Sequence, residues 1–317
     1  IYNSGTITTI NGSYTGNYTK STVTRGGVIF NEGIIDTISG TFDSNNAVST
    51  NGNLLGGIIA NYNTINNVGG TFTNNTVSST GGIIYGGLIY NGTDKIMDKI
   101  NATVNNNNIS STVGLVGGII QNQSTIDTID GSYDDNVISA VEGVQGGIIN
   151  ISKSVTNIKG AYKNNKITAK KVSGGIISNT GNIDNIKATF ENNTSESTGG
   201  NAFGGVIMNY TGKTIGTINS TFKKNSLKAS GNAIGGVIQN QGTITKIEGL
   251  FEGNYVKTFG SAICNAVATA NIGSINADFI GNYGGTSVIY NNGTIGDITG
   301  DFTGNYSTIK SAGGSCI

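Results

Sequence analysis

An aromatic residue followed three positions later by asparagine recurs from one end of this chain to the other. The aromatic column reads Tyr14, Phe42, Phe72, Val104, Tyr133, Tyr162, Phe190, Phe222, Phe251, Phe279 and Phe302, with Val104 as the one departure. The asparagine column has no exception: Asn17, Asn45, Asn75, Asn107, Asn136, Asn165, Asn193, Asn225, Asn254, Asn282 and Asn305. Successive copies lie 23 to 32 residues apart. A period of that size, held along the whole chain, is the mark of a solenoid.

Each aromatic is preceded by a small residue two positions earlier, such as Gly40, Ala102 or Ser220. An aliphatic residue stands four positions earlier, such as Ile38, Ile100 or Ile218. Large, small and aromatic at every second position is the pattern of a strand with one buried face, and no helix would put the three together. A further aliphatic column lies three residues before that one (Ile35, Met97, Ile215), and the odd spacing predicts a bend between the two. A third strand is expected at the Gly-Gly-apolar-Ile stretches, where Ile59 or Ile238 is followed two residues later by a second asparagine column. Only Ile151 breaks that column.

The sequence therefore predicts an all-β fold, a parallel β-helix of about eleven coils with three short strands per coil, running as one continuous domain over 1–317. At about 4.8 Å per coil such a rod is roughly 50–55 Å long. Stacked asparagines can satisfy one another's amides as they do in cross-β ladders, and asparagine tolerates the left-handed backbone of tight corners. The polar stretches between each aromatic-motif asparagine and the next glycine pair, for example 45–56 and 193–204, read as surface loops to which Val and Ile add at most a partial strand.

Composition narrows the function more than it names it. Proline and histidine are absent, charged residues are 11% and the formal net charge is zero. That balance suggests neither a nucleic acid nor an anionic membrane as partner, and no run is long and apolar enough to insert as a membrane helix. The two cysteines, Cys264 and Cys316, fall at different points of coils two apart, so they read as separate thiols. No cofactor is called for. A polysaccharide-active enzyme of lyase or glycosidase kind, a third reading for a β-helix, needs converging carboxylates, and the one candidate for such a site, or for calcium, is Asp127, Asp130, Asp134 and Asp135 in a single coil. Neighbouring coils carry mostly Asn, Lys, Thr or Gly at those positions, which reads as solvated surface and not as catalysis. Lys163, Lys166, Lys170, Lys171, Lys223, Lys224 and Lys228 make a mild basic patch whose plain reading is solubility. Thr6, Thr64, Thr125, Thr214, Thr243 and Thr294 make a gapped column too irregular for a flat ice-binding face.

The ends complement each other. Gly313-Gly314-Ser315-Cys316-Ile317 followed by Ile1-Tyr2-Asn3-Ser4-Gly5-Thr6-Ile7 reproduces the columns of the internal stretch 284–295 without a gap. The expectation is either a segment of a longer repeat protein or a subunit that stacks on copies of itself, tail to head, into a filament.

The alternation of Gly-Gly-x-[Ile/Leu/Val], as at 26–29, 56–59 and 235–238, with Phe-x-x-Asn, as at 42–45, 190–193 and 251–254, resembles the repeat of the chlamydial polymorphic membrane proteins. The resemblance implies a non-enzymatic, extracellular β-helical passenger of autotransporter type at a bacterial surface, acting in adhesion through a host-cell or glycan receptor. The family prefers Ala third in the glycine motif and usually adds a C-terminal membrane barrel. These residues have Val, Ile or Leu at that position and contain no barrel.

Overall fold

A computed structural model describes residues 1–309. It is a winding of parallel strands with no helix among the described residues, a β-solenoid whose rungs stack in register. Sheet 1, made of three-residue strands such as Ile59–Asn61, has eleven strands from Tyr2–Asn3 to Ile289–Asn291. That is ten complete turns, with sheets 2 and 3 continuing past the last of them to Tyr306–Ser307.

Each coil has more sides than the sequence suggested. Sheet 2 carries ten-residue strands, such as Thr64–Thr73 and Thr243–Glu252, that run through both aliphatic columns. The expected bend is absent as a corner. The ladder pairs Ile65↔Met97, then steps over one residue to Asn67↔Lys99, so two outward positions separate two buried ones within one strand. Only the first two coils and the last split this strand in two.

The polar stretches expected to be loops supply two more sheets. In coil two, 45–56 holds strands Asn46–Ser49 and Leu54–Leu55, which belong to sheets 3 and 4. Sheet 3 has eleven strands and sheet 4 has eight, ending at Ala233–Ile234. The count per coil is thus four sheets, not three strands. The misreading has a physical cause: the second inward position of sheet 3 is often serine. Ser49, Ser79, Ser111 and Ser197 are buried, and each hydroxyl donates to a backbone carbonyl outside the strands (Ser49 Oγ to Gly52 O at 2.7 Å, Ser197 Oγ to Lys170 O at 2.6 Å). A polar-looking run is therefore a strand with a satisfied interior.

The core is a stack of near-identical layers. Ile35, Ile38 and Phe42 are fully buried, as are most of their copies up the rod. The aromatic rings lie face to face, centroids 4.7 to 5.1 Å apart and planes within 20°, from Tyr14 to Phe72 and again from Tyr133 to Phe302. Val104 interrupts them. The coil spacing and the ring-stacking distance coincide, so one repeat satisfies the backbone ladder and the aromatic column together.

The glycine pair closes the corner between sheets 4 and 1. Its first glycine has φ between 56 and 68° in eight successive coils, from Gly26 to Gly235. The second is needed for a different reason. A Cβ on Gly118 would lie 2.1 Å from the Gly147 carbonyl oxygen and 2.8 Å from Ile138 of sheet 3, so the pair also makes room for the core side chain across the coil.

Candidate functional site

The asparagine column forms a ladder without a break. Nδ2 of each residue from Asn17 to Asn282 donates to Oδ1 of the next, at 2.8 to 3.0 Å over all ten steps. The backbone N–H donates to the same oxygen, as Asn136 N does to Asn165 Oδ1 at 3.1 Å. The second Nδ2 hydrogen goes to the aromatic carbonyl one coil back, as from Asn165 to Tyr133 O at 2.7 Å. Both functions of these buried amides are used, and every side-chain step points the same way along the rod. The left-handed corner residue is not the ladder asparagine but the one before it: Ser44, Asn74, Asn106, Asp135, Asn164, Asn192 and Lys224 have φ of 52 to 57°. Asparagine is fixed here by its amide, not by its backbone tolerance.

The second column forms two shorter ladders, Asn3 to Asn122 and Asn179 to Asn291. Ile151, fully buried, separates them; Asn122 Nδ2 keeps the two carbonyl bonds that Asn31 and Asn209 also make, to Ser124 O and Ser154 O at 2.6 and 3.1 Å, and lacks the ladder step.

The four aspartates share coil five without converging. Asp127 accepts from its neighbour Thr128 and Asp130 from the Gly131 N–H. Asp134 accepts from Ser132 Oγ and from the Lys163 N–H, and Asp135 is the exposed left-handed corner. Among the described residues no group of three His, Cys, Asp or Glu side chains is placed to hold a metal. Lys163, Lys170 and Lys223 of the basic patch pair with Glu191, Glu142 and Glu252 at 3.4, 3.2 and 2.9 Å. The threonine column lies on the outer side of sheet 2, interrupted in register by Ile34, Ile96, Ser154, Asn182 and Asn271. Cys264 is a buried free thiol, its pKa pushed up to about 12 by that burial.

Of the end residues, Ile1, Tyr2 and Asn3 already stack on coil two. The Ile1 amino group donates to Val28 O at 2.6 Å, Tyr2 pairs with Phe30, and Asn3 Nδ2 donates to Asn31 Oδ1 at 2.8 Å. Gly313, Gly314, Cys316 and Ile317 lie outside the described residues.

One lateral feature was not legible beforehand. The middle residue of each sheet 1 strand points away from the core, yet most of these residues are buried: Tyr90, Gln121, Asn150, Ser178, Met208, Gln239 and Cys264. They form the floor of a concave face. One wall is the outward column of sheet 4, including Tyr85, Val116, Gln145, Ser173 and Phe203, paired in register. The other wall is the residue just after the second asparagine column: Tyr62, Gln123, Tyr210 and Gln241. The walls meet across the floor. Arg25 lies 5.9 Å above the Tyr62 ring, and Ser173 Oγ is 2.7 Å from Tyr210 OH. Tyr90 OH donates to Gln123 Oε1 at 2.8 Å, and burial pushes the pKa of that phenol up to about 12. Between them opens a cavity of about 470 Å³ lined by Val116, Gln145, Ser173, Phe203, Met208, Tyr210 and Gln241, among others. The signal in the sequence was the residue between each Ile and Asn of that motif, which varies from coil to coil and has no repeat to betray it.

Comparison with protein-family models, with curated proteins and with solved structures returned no match. No helix among the described residues is long and apolar enough to cross a membrane, which leaves β-barrels unaddressed.

Proposed function

We propose that this protein is a non-enzymatic structural rod of a bacterial cell surface, lengthened by coil-on-coil stacking of copies of itself. The observation that carries the reading is the common polarity of the asparagine ladder. Ten steps donate in one direction, so each coil offers an amide acceptor on one side and an amide donor on the other. A coil from another copy, set in the same sense, would meet the same groups as a coil of its own chain. Stacking of this heterologous kind does not close into a ring unless the rod curves, and so gives fibres. The non-catalytic part of the reading is supported by coil five, where Asp127, Asp130 and Asp134 are occupied by their own local hydrogen bonds.

Electron microscopy of the purified chain tests it. Long rods with an axial repeat of roughly 50–55 Å, eleven strand spacings, are the expected result. Isolated short rods at all concentrations would overturn the assembly reading.

A second reading is an adhesive passenger of autotransporter type, binding a host-cell or glycan receptor. It is favoured by the lateral concave face, where outward residues change from coil to coil above an interior that does not. Binding of the chain to cells as single, unassembled rods would distinguish it from the first.

A further inference from the structure

Six buried side-chain polar atoms among the described residues have no hydrogen-bond partner, and three of them share the floor of the concave face: Asn150 Oδ1, Ser178 Oγ and Gln239 Oε1. Their residues are at most 2% exposed. They stand in one register column, Asn150↔Ser178↔Met208↔Gln239, whose member Met208 lines the cavity. Buried polar groups are nearly always paired, because leaving one unpaired forfeits its hydration with nothing in exchange. A row of them under a groove points to a ligand or its hydroxyls as the missing partners.

We propose that this groove binds an uncharged, extended oligosaccharide lying parallel to the rod axis. The inference deepens the adhesive reading above and rests on it. Three features select the ligand class. The unpaired atoms include two amide oxygens, which need donors, and a serine hydroxyl, which can accept or donate; sugar hydroxyls serve both. Phe203, Tyr210 and Met208 give the apolar surface on which the faces of pyranose rings lie, as binding sites generally combine apolar walls with a few placed polar groups. The floor column holds no charged residue; at the rim Glu142 is paired with Lys170, and Lys171 is the one cation lining the cavity, which the sulfated probe below addresses.

Spacing separates a glycan from a peptide. The wall and floor residues recur once per coil, every ~4.8 Å. An extended peptide presents like-facing side chains every ~6.8 Å and falls out of step within two coils. One pyranose ring in an extended chain advances by about one coil. The Ser173–Tyr210 hydroxyl pair closes the groove over its floor, and a sugar hydroxyl can replace either partner of that bond and reach Ser178.

The test is calorimetric titration of the full chain with soluble hexasaccharides of β-linked glucose, xylose, mannose and N-acetylglucosamine, beside a sulfated hexasaccharide. Binding of at least one uncharged member is expected. Phe203→Ala and Gln241→Ala should each raise its Kd at least tenfold with thermal melting unchanged, and Lys246→Ala, on sheet 2, should leave it alone. Gln145→Ala is a further groove variant should Phe203→Ala unfold. The proposal is overturned by no uncharged binding up to millimolar concentrations, by binding of the sulfated probe alone, or by equal binding to the groove variants. Binding of single, unassembled rods to cells is scored separately: cell binding without any uncharged glycan overturns this proposal and leaves the adhesive reading standing, whereas loss of both overturns the two together.

Discussion

At the scale of the residue, asparagine does most of what specifies this fold. Each ladder asparagine links three coils, because Nδ2 reaches back to an aromatic carbonyl and forward to the next Oδ1. Asn136→Ala would leave Asn107 Nδ2 and the Asn107 N–H without their acceptor and Val104 O without its donor. At about 1–3 kcal/mol for a buried group left unpaired, a loss of roughly 3 kcal/mol is expected. Guanidinium unfolding would read it, and amide exchange should rise first in coils four to six. Lys224 makes the opposite case. It holds φ 52° where Gly16, Gly253, Gly281 and Gly304 stand in other coils. A left-handed backbone costs a non-glycine residue about 1–2 kcal/mol, so Lys224→Gly should stabilise by up to about 1 kcal/mol after glycine's own entropic cost. A lower melting temperature in that variant would show that the lysine stem contributes contacts outweighing the strain.

Among the elements, the two asparagine ladders invite a direct comparison, since one is whole and the other broken by a single isoleucine. Ile151→Asn would let Asn122 donate to it and let it donate to Asn179, joining the two halves into one continuous row of amides. The gain of about 1 kcal/mol per hydrogen bond roughly offsets the loss of about 1.5–3 kcal/mol of aliphatic burial. Stability within about 1 kcal/mol of the parent is therefore expected, whereas Ile151→Ala, with a cavity and no bonds, should cost at least about 2 kcal/mol. Equal destabilisation by the two would mean the ladder does not re-form. The elements also show how far the residues alone could be read. Sheet 1, the aromatic column and the parallel stacking were legible because their inward positions are apolar or asparagine in nearly every coil. Sheet 3 was hidden because buried serines at positions 49, 79 and 111 look like loop residues until their carbonyl partners are known. The bend predicted within each strand of sheet 2 failed for a related reason: a spacing of three signals a skipped rung as readily as a corner. The aspartates of coil five stand in one coil as their spacing requires, but their lack of convergence depends on geometry that spacing does not carry. The concave face escaped notice because its floor is defined by what lies above it in three dimensions.

For the molecule as a whole, burial of ionisable groups sets an alkaline limit. The pKa values of the Cys264 thiol and the Tyr90 phenol are both pushed up to about 12, and burial also raises those of Tyr133 and Tyr162. The ordinary values of thiol and phenol are 9.0 and 10.0. Each group is held protonated in the fold, so its contribution is fully present below those ordinary values and is lost as pH climbs towards 12. Melting temperature should be flat near neutrality and fall steadily above about pH 9; a flat profile to about pH 11 would contradict the burial of these groups. The rod as a whole is also indifferent to its own length. The interior of one coil is nearly interchangeable with the interior of the next, and the ladder asparagines lie at one fixed point of every turn. A gene for such a chain can gain or lose a whole repeat by unequal recombination, cut from one asparagine codon to the next, without leaving a scar in the folded product. Length is then inherited in steps of a single coil, about 4.8 Å at a time, and selection can tune the reach of the rod separately from the make-up of its flank.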